Sequence, residues 1–169
     1  MYIREIQIED AENFHHMLCR LDEETEFMMY EPGERKRGEM ARLQFKERVA
    51  GALAGGDFLL AAVNDMGEIV GFLWAERGKP RRVEHTAYIV TGIRKAYQRQ
   101  GIGDQFFCRL EEWARERGLV RLELTVECAN GAAKELYQKH GFAVEGVRLQ
   151  SMKVGGRFLD EYYMGKILW

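Results

Sequence analysis

Ile93-Arg-Lys-Ala-Tyr-Gln-Arg-Gln-Gly-Ile-Gly103 is the stretch on which the fold turns. Ahead of it stands the apolar run Tyr88-Ile-Val, which reads as a strand. After it Ile102, Phe106, Leu110 and Trp113 recur every three or four residues, the face of a helix. The stretch is therefore a strand-to-helix turn with two glycines at the helix start. Gly101 and Gly103 carry no Cβ and admit a ligand close to the backbone. The first amides of a helix have no internal partner and sit at the positive end of its dipole, so this turn is an anion site suited to a phosphate. Two familiar glycine patterns fail here. The dinucleotide fingerprint Gly-x-Gly-x-x-Gly/Ala breaks at Phe106, and no Gly-Lys-Ser/Thr follows to make a P-loop. What remains is Gln98-x-x-Gly101-x-Gly103.

Composition narrows the setting. A chain of 169 residues, 46% apolar and 31% charged, is expected to be one soluble globular domain spanning residues 1–169. A net charge of −2 gives no reason to expect nucleic acid as a partner. No run is long enough to span a membrane and Met1–Asp10 shows no signal pattern, so no membrane partner is expected. Cys19, Cys108 and Cys128 are odd in number and far apart. They suit a reducing, cytoplasmic compartment rather than a disulfide framework or a zinc site. His15, His16, His85 and His140 form no His-Glu-x-x-His pattern, and no metal is expected.

Outward from the glycine turn, Met1–Ile8 reads as a strand with Ile6 and Ile8 on one face. Asp10 is placed to cap the next helix, whose inner face is Phe14, Met17, Leu18 and Leu21. Glu23–Gly38 is irregular, with five glutamates and the cluster Phe27-Met-Met-Tyr30. Glu39–Leu53 returns to helix, with Met40, Leu43, Ala50 and Leu53 expected inward. Phe58–Val63 and Ile69–Trp74 flank Asn64-Asp-Met-Gly67 as a hairpin. Lys79–Arg82 is a basic loop, Val83–Ile93 the strand feeding the glycine turn, and Gly101–Arg117 the helix after it. Leu119–Val126 alternates as a strand, Asn130 caps the short helix Gly131–His140, and Phe142–Val154 with Arg157–Leu168 closes the chain as a hairpin. The order β-α-α-β-β-β-α-β-α-β-β predicts a three-layer α/β domain with a mixed, mostly antiparallel sheet.

Gln98-x-x-Gly101-x-Gly103 resembles the coenzyme A pyrophosphate loop of the GCN5-related N-acetyltransferases, Arg/Gln-x-x-Gly-x-Gly/Ala. Asn130-Gly-Ala-Ala-Lys-Glu-Leu-Tyr137-Gln-Lys-His-Gly141-Phe142 is similar to that family's Asn-x-x-Ala-x-x-x-Tyr-x-x-x-Gly-Phe segment. The element order is the family's as well. The C-terminal half, from Arg81 to Met164, resembles a bacterial subgroup that includes amino-acid N-acetyltransferases. The resemblance implies transfer of an acetyl group from acetyl-CoA, the acyl donor, to a primary amine of a small molecule such as an amino acid. A protein or peptide acceptor is the alternative; an acyl-CoA sensor without turnover is the second.

The resemblance also implies roles. Thr91, Gly92 and Ile93 would run beside the pantetheine arm, with Gly92 allowing close approach. The amides of Arg99, Gln100, Gly101, Ile102, Gly103 and Asp104 would carry the pyrophosphate, Gln98 would belong to the same cofactor-binding loop, and Asn130 would help hold the donor or the amine. Tyr137 is the candidate general acid for the departing thiolate; otherwise it is a core aromatic. In ribosomal relatives the base is a glutamate five residues before the asparagine, and here that position is Thr125. Glu123 and Glu127 share its face by period two, and Glu84 and His85 are the other base candidates. Glu24, Phe27 and Glu31 are candidates for the acceptor pocket, and Arg82 for holding a substrate carboxylate. Tyr162, Tyr163 and Trp169 of the closing hairpin are candidates for a homodimer contact.

Overall fold

The computed structural model describes residues 1–169. Seven strands and four α-helices follow the order expected from the sequence: β1 (Tyr2–Glu5), α1 (Ala11–Glu24), α2 (Glu39–Ala54), β2 (Phe58–Val63), β3 (Ile69–Arg77), β4 (Thr86–Ile93), α3 (Ile102–Glu116), β5 (Arg121–Glu127), α4 (Gly131–Lys139), β6 (Ala143–Val154) and β7 (Arg157–Ile167). All seven strands form one sheet in the order β1-β2-β3-β4-β5-β7-β6.

β2 is apolar at every position because both its faces are covered. Phe58, Leu60 and Ala62 enter one hydrophobic core, together with the inner faces of α3 and α4. Leu59, Ala61 and Val63, pointing the other way as the two-residue period requires, enter a second core with α1 and α2. Two cores on opposite faces of one sheet make the three layers. The tight turn between β2 and β3 is built by Asn64, whose Oδ1 accepts the amides of Met66 and Glu68 at 3.0 and 2.9 Å. Such a turn permits only an antiparallel pair, whereas β4 and β5 run parallel because α3 carries the chain back between them.

The β4–β5 pair is short. Its register covers Thr86↔Arg121, Ala87↔Leu122 and Tyr88↔Glu123 and then stops. β4 runs on to Ile93 against β3, and β5 runs on to Glu127 against β7. The two strands part like the arms of a fork, and the facing edges beyond Tyr88 and Glu123 have no ladder partner. No helix is long and apolar enough to cross a membrane.

Several boundaries differ from the sequence reading. β1 ends at Glu5, and Ile8 opens a short 3-10 turn instead of extending the strand. Asp10 does not cap α1, because its carboxylate is taken by the Arg4 guanidinium at 2.6 and 2.7 Å and by the Gln7 amide at 2.7 Å. β4 starts at Thr86, since Arg81–His85 fold into a turn closed by the Thr86 amide on the Val83 carbonyl at 2.9 Å. The inner face of α2 is Phe45, Val49 and Ala52, with Leu53 half-buried. Met40 (67% exposed), Leu43 (52%) and Ala50 form the opposite stripe. Apolar residues occur around the whole circumference of α2, so periodicity selects no face. Phe45 decides it by packing edge-on to Phe14 at 5.4 Å.

This assignment predicts unequal costs for two truncations. Phe45→Ala should cost about 3 kcal/mol, because it opens a cavity in a packed core. Leu43→Ala should stay within about 0.5 kcal/mol of the parent, as exposed positions do. Urea denaturation of both variants checks it, and comparable losses would mean that α2 is rotated from this description.

Candidate functional site

Beyond Ile93 the backbone bends through a short 3-10 turn, Lys95–Tyr97, and enters α3 by two residues with left-handed φ, Arg99 at 61° and Gly101 at 78°. The turn is braced from within. Gln98 Nε2 donates to the Ile93 carbonyl at 3.0 Å and Gln100 Nε2 to the Ala96 carbonyl at 3.1 Å. The first helical bond of α3 is donated by Gln105, to Gly101. In consequence the N–H groups of Arg99, Gln100, Gly101, Ile102, Gly103 and Asp104 donate to no group of the protein. Consecutive free amides at the positive end of a helix fit a pyrophosphate. A Cβ on Gly101 would meet nothing within 4 Å, so its surroundings are open on the ligand side.

The other two glycines serve packing. A Cβ on Gly103 would lie 2.7 Å from Leu136 of α4, and one on Gly92 would lie 2.5 Å from Leu21 of α1. Gly92 thus admits the close approach of a helix on the side its Cβ would occupy, and it also lines the neighbouring groove. Asp104 puts a carboxylate in the first turn of α3, where it would repel a phosphate. Lys139 and His140 at the end of α4 hold it at 2.6 and 2.9 Å; the Lys139 ammonium offsets its charge, and the two contacts keep its pKa low.

From this cradle a groove of about 960 Å³ runs along the fork. Its lining includes the Thr91–Ile93 edge of β4 and, from the far arm, Thr125, Val126 and Glu127. At the crotch Tyr88 Oη and Thr125 Oγ1 share a hydrogen bond of 2.8 Å. By the two-residue period Leu122, Leu124 and Val126 face the α3–α4 core, so Glu123, Thr125 and Glu127 face the side of α1. Thr25–Met29, at the start of the segment that follows α1, line that side. Asp22 anchors the segment by a buried pair with Arg35 at 2.8 Å, and Phe27 and Met28 line the groove.

Three residues stand out along the walls. Tyr137 of α4 is buried against Phe107 and Phe142, and burial, helped by the nearby Tyr88, pushes its phenol well up. It therefore holds its proton until a stronger base appears. Asn130 lines the groove, but its Oδ1 also accepts the Ala133 amide at 3.2 Å, so the side chain caps α4. Glu127 is 8% exposed, and its Oε2 is buried without a partner. Burial, followed by the charges of Glu26 and Glu161, raises its pKa.

The remaining candidates lie elsewhere or are otherwise engaged. Arg82, Glu84 and His85 are exposed in the turn before β4. The groove begins at Tyr88, roughly 10 Å along the strand from His85 for three extended residues. They are not brought to the site. Glu123 sits where the strands are still joined, opposite Tyr88, and binds Arg121 Nε at 2.7 Å. Glu31 is exposed in a turn outside the groove, its amide on the Glu34 carboxylate. Glu24 lines the groove but takes Arg94 at 2.8 and 3.0 Å and the Lys95 amide at 2.9 Å, tying α1 to the glycine turn. Burial opposes its charge, yet these partners outweigh it and lower its pKa. Glu26, Tyr88, Met152 and Glu161 line the groove without having been singled out. Glu161 is the direct cross-strand partner of Glu127, a register that sequence spacing does not disclose.

Comparison with known proteins agrees with this geometry. A family model described as "Acetyltransferase (GNAT) family" matches residues 15–142. The L-amino acid N-acetyltransferase AaaT of Escherichia coli is 29% identical over 106 residues, 60% of this chain. The chain spans less than two-thirds of the length of the curated relatives it matches, 63% in that case. The crystal structure of a GNAT-family acetyltransferase from Streptococcus pneumoniae superposes with a TM-score of 0.90 at 29% identity, over 99% of both chains. The yncA protein of Salmonella typhimurium, solved with its cofactor acetyl-CoA, shares the fold with a TM-score of 0.84 at 19% identity, over 99% of this chain and 94% of that one. By its matched span, its sheet and its glycine turn, the chain belongs to the GNAT acetyltransferase family.

Proposed function

We propose that the chain moves an acetyl group from acetyl-CoA directly to the primary amine of a small molecule, with an amino acid as the leading acceptor class. The observation that carries this is a groove whose two arms differ in character. One arm leads into a row of six free amides, and the other holds a buried carboxylate without a partner. Anion donors on one arm suit the pyrophosphate, and a carboxylate without a counter-charge on the other suits an ammonium.

The residues divide the chemistry. Amides 99–104 hold the donor by its pyrophosphate, and the unpaired edge of β4 at Thr91–Ile93 lies beside its arm. The donor supplies a thioester, whose C–S bond breaks as the C–N bond forms. Glu127 takes a proton from the entering ammonium, a task favoured by its raised pKa. Tyr137 gives a proton to the departing sulfur and regains one as the nitrogen loses its second. Thr25–Met29 line the acceptor side, and the segment they open is fixed by Asp22–Arg35, which favours a small acceptor over a peptide. Phe27 and Met28 offer that acceptor an apolar wall, in keeping with the likeness to AaaT.

The deciding experiment is thiol release from acetyl-CoA against a panel of amino acids, polyamines, aminoglycosides and short peptides, with donor binding followed by calorimetry. Turnover is expected with an amino acid. Tight binding without turnover on any amine would favour a sensor, and no binding would remove the donor assignment. Glu127→Gln should lower kcat/KM by about a hundredfold or more, and Tyr137→Phe should lower kcat with the donor Kd unchanged. Gly101→Glu places a charge among the free amides and a side chain at a strained φ, and donor binding should be lost. Unchanged binding would mean that the cradle lies elsewhere.

Glu127 also predicts a pH effect on stability. Its pKa in the folded chain lies above the ordinary 4.5, so the folded state holds the extra proton. Stability is then lost as pH rises from that ordinary value through the folded pKa. Glu127→Gln should raise Tm by a few degrees at pH 7.5, and the gain should fade below pH 4 or so. Thermal melts across that range check it; a Tm lowered at every pH would mean that the carboxylate is structurally satisfied.

A further inference from the structure

Glu127 does not stand alone on its arm of the groove. In the β5–β7 ladder its direct partner is Glu161. Directly opposed residues present their side chains on the same face, with Cβ atoms about 5 Å apart. Both are buried, Glu127 at 8% and Glu161 at 7% exposure, and both line the groove. Two like charges at that spacing repel, and a purely structural pair would be expected to engage its own counter-charges. Only one does so. Arg148, across the next ladder from Glu161, reaches Glu161 Oε2 at 3.2 Å. Glu127 Oε2 has no partner although it is buried.

We infer that Glu127 and Glu161 form an asymmetric clamp for the acceptor ammonium, in which Glu161 binds the cation and Glu127 removes its proton. The inference rests on the proposed transfer to an amine and assigns to that site a binding residue on β7. A cation between the two carboxylates relieves their repulsion and supplies the missing partner of Glu127. The acceptor therefore enters as R–NH3⁺. An N–H bond breaks and an O–H bond forms on Glu127, and R–NH2 is left facing the thioester. Glu161 forms and breaks no bond. Arg148 balances its charge, so the clamp carries one uncompensated carboxylate for one ammonium. The other charges acting on Glu127 are Glu26, from the segment after α1, and Arg157, at the start of β7.

Two measurements test this. The first compares wild type, Glu161→Gln and Glu161→Asp with the amine that turns over, at saturating acetyl-CoA across pH. Glu161→Gln should raise the amine KM by about ten- to a hundredfold, with a smaller fall in kcat and no change in the KM for acetyl-CoA. Because the charge of Glu161 holds the pKa of Glu127 up, the acid limb of kcat/KM should also move to lower pH. Glu161→Asp should recover most of the amine affinity. The second needs no turnover. With glutamate side-chain carboxyls labelled with carbon-13, NMR titration of wild type with added methylammonium chloride should lower the midpoint of Glu127 by about half a pH unit. In Glu161→Gln the methylammonium effect should shrink to nearly nothing. A wild-type amine KM in Glu161→Gln, or a Glu127 midpoint indifferent to methylammonium, overturns the clamp and leaves acetyl transfer intact. Wild type that acetylates no amine overturns the proposed function, and the methylammonium titration then decides the clamp by itself.

Discussion

The parting of β4 and β5 is the constraint on which the rest of the structure depends. Three residue pairs join these strands, and beyond Tyr88 and Glu123 they separate. Backbone edges left without a ladder must be satisfied by something else, and here they line a groove instead of being buried. The split lasts because each arm is secured on its outer side, β4 by β3 and β5 by β7. Covering layers hold the arms apart as well. Leu21 of α1 packs so closely on Gly92 that a methyl group there would overlap it, and α4 sets Tyr137 into the α3 core.

The fork also sorts charge. On one arm the chain arrives from β4 and enters α3 through left-handed residues, leaving a run of N–H donors free. Lys139 offsets Asp104, the acid that would spoil this arm, and His140 holds it by a hydrogen bond. On the other arm two strands bring Glu127 and Glu161 together, and Glu26 lines the groove with them. Neither grouping is an accident of surface composition, since the chain as a whole carries a net charge of only −2. Ion pairs elsewhere build the frame. Glu24 with Arg94 ties the end of α1 to the glycine turn, and Asp22 with Arg35 holds the segment that follows α1. Position relative to the parting separates these glutamates in role: Glu123 lies below it and pairs with Arg121, whereas Glu127 lies above it and stays unpaired.

Local signals were strong enough to be read from sequence. The period of Ile102, Phe106, Leu110 and Trp113, the all-apolar β2, the Asn64–Gly67 turn and the glycine stops fix element type and order, because each depends on residues within a few positions of one another. The glycine turn was legible for the same reason, and so were Tyr137 and Asn130 in their motif. Signals that depend on distant partners were not. Asp10 looked like a cap until Arg4 claimed it, and nothing near Gly92 in the chain announces that Leu21 packs against it. On α2 two apolar stripes competed, and only contact with Phe14 chose between them.

By itself the sequence determined the three-layer fold, the family and the glycine turn at Arg99–Asp104, since these rest on short-range periodicity, backbone φ preferences and contiguous motifs. Only the tertiary structure decided which carboxylate faces the groove. Glu84, Glu123, Glu127 and Glu161 are chemically the same side chain, and spacing along the chain cannot rank them. What ranks them is how far each lies along a strand from the point where β4 and β5 part, and which charge sits across the ladder from it. Both are set by register between strands far apart in sequence.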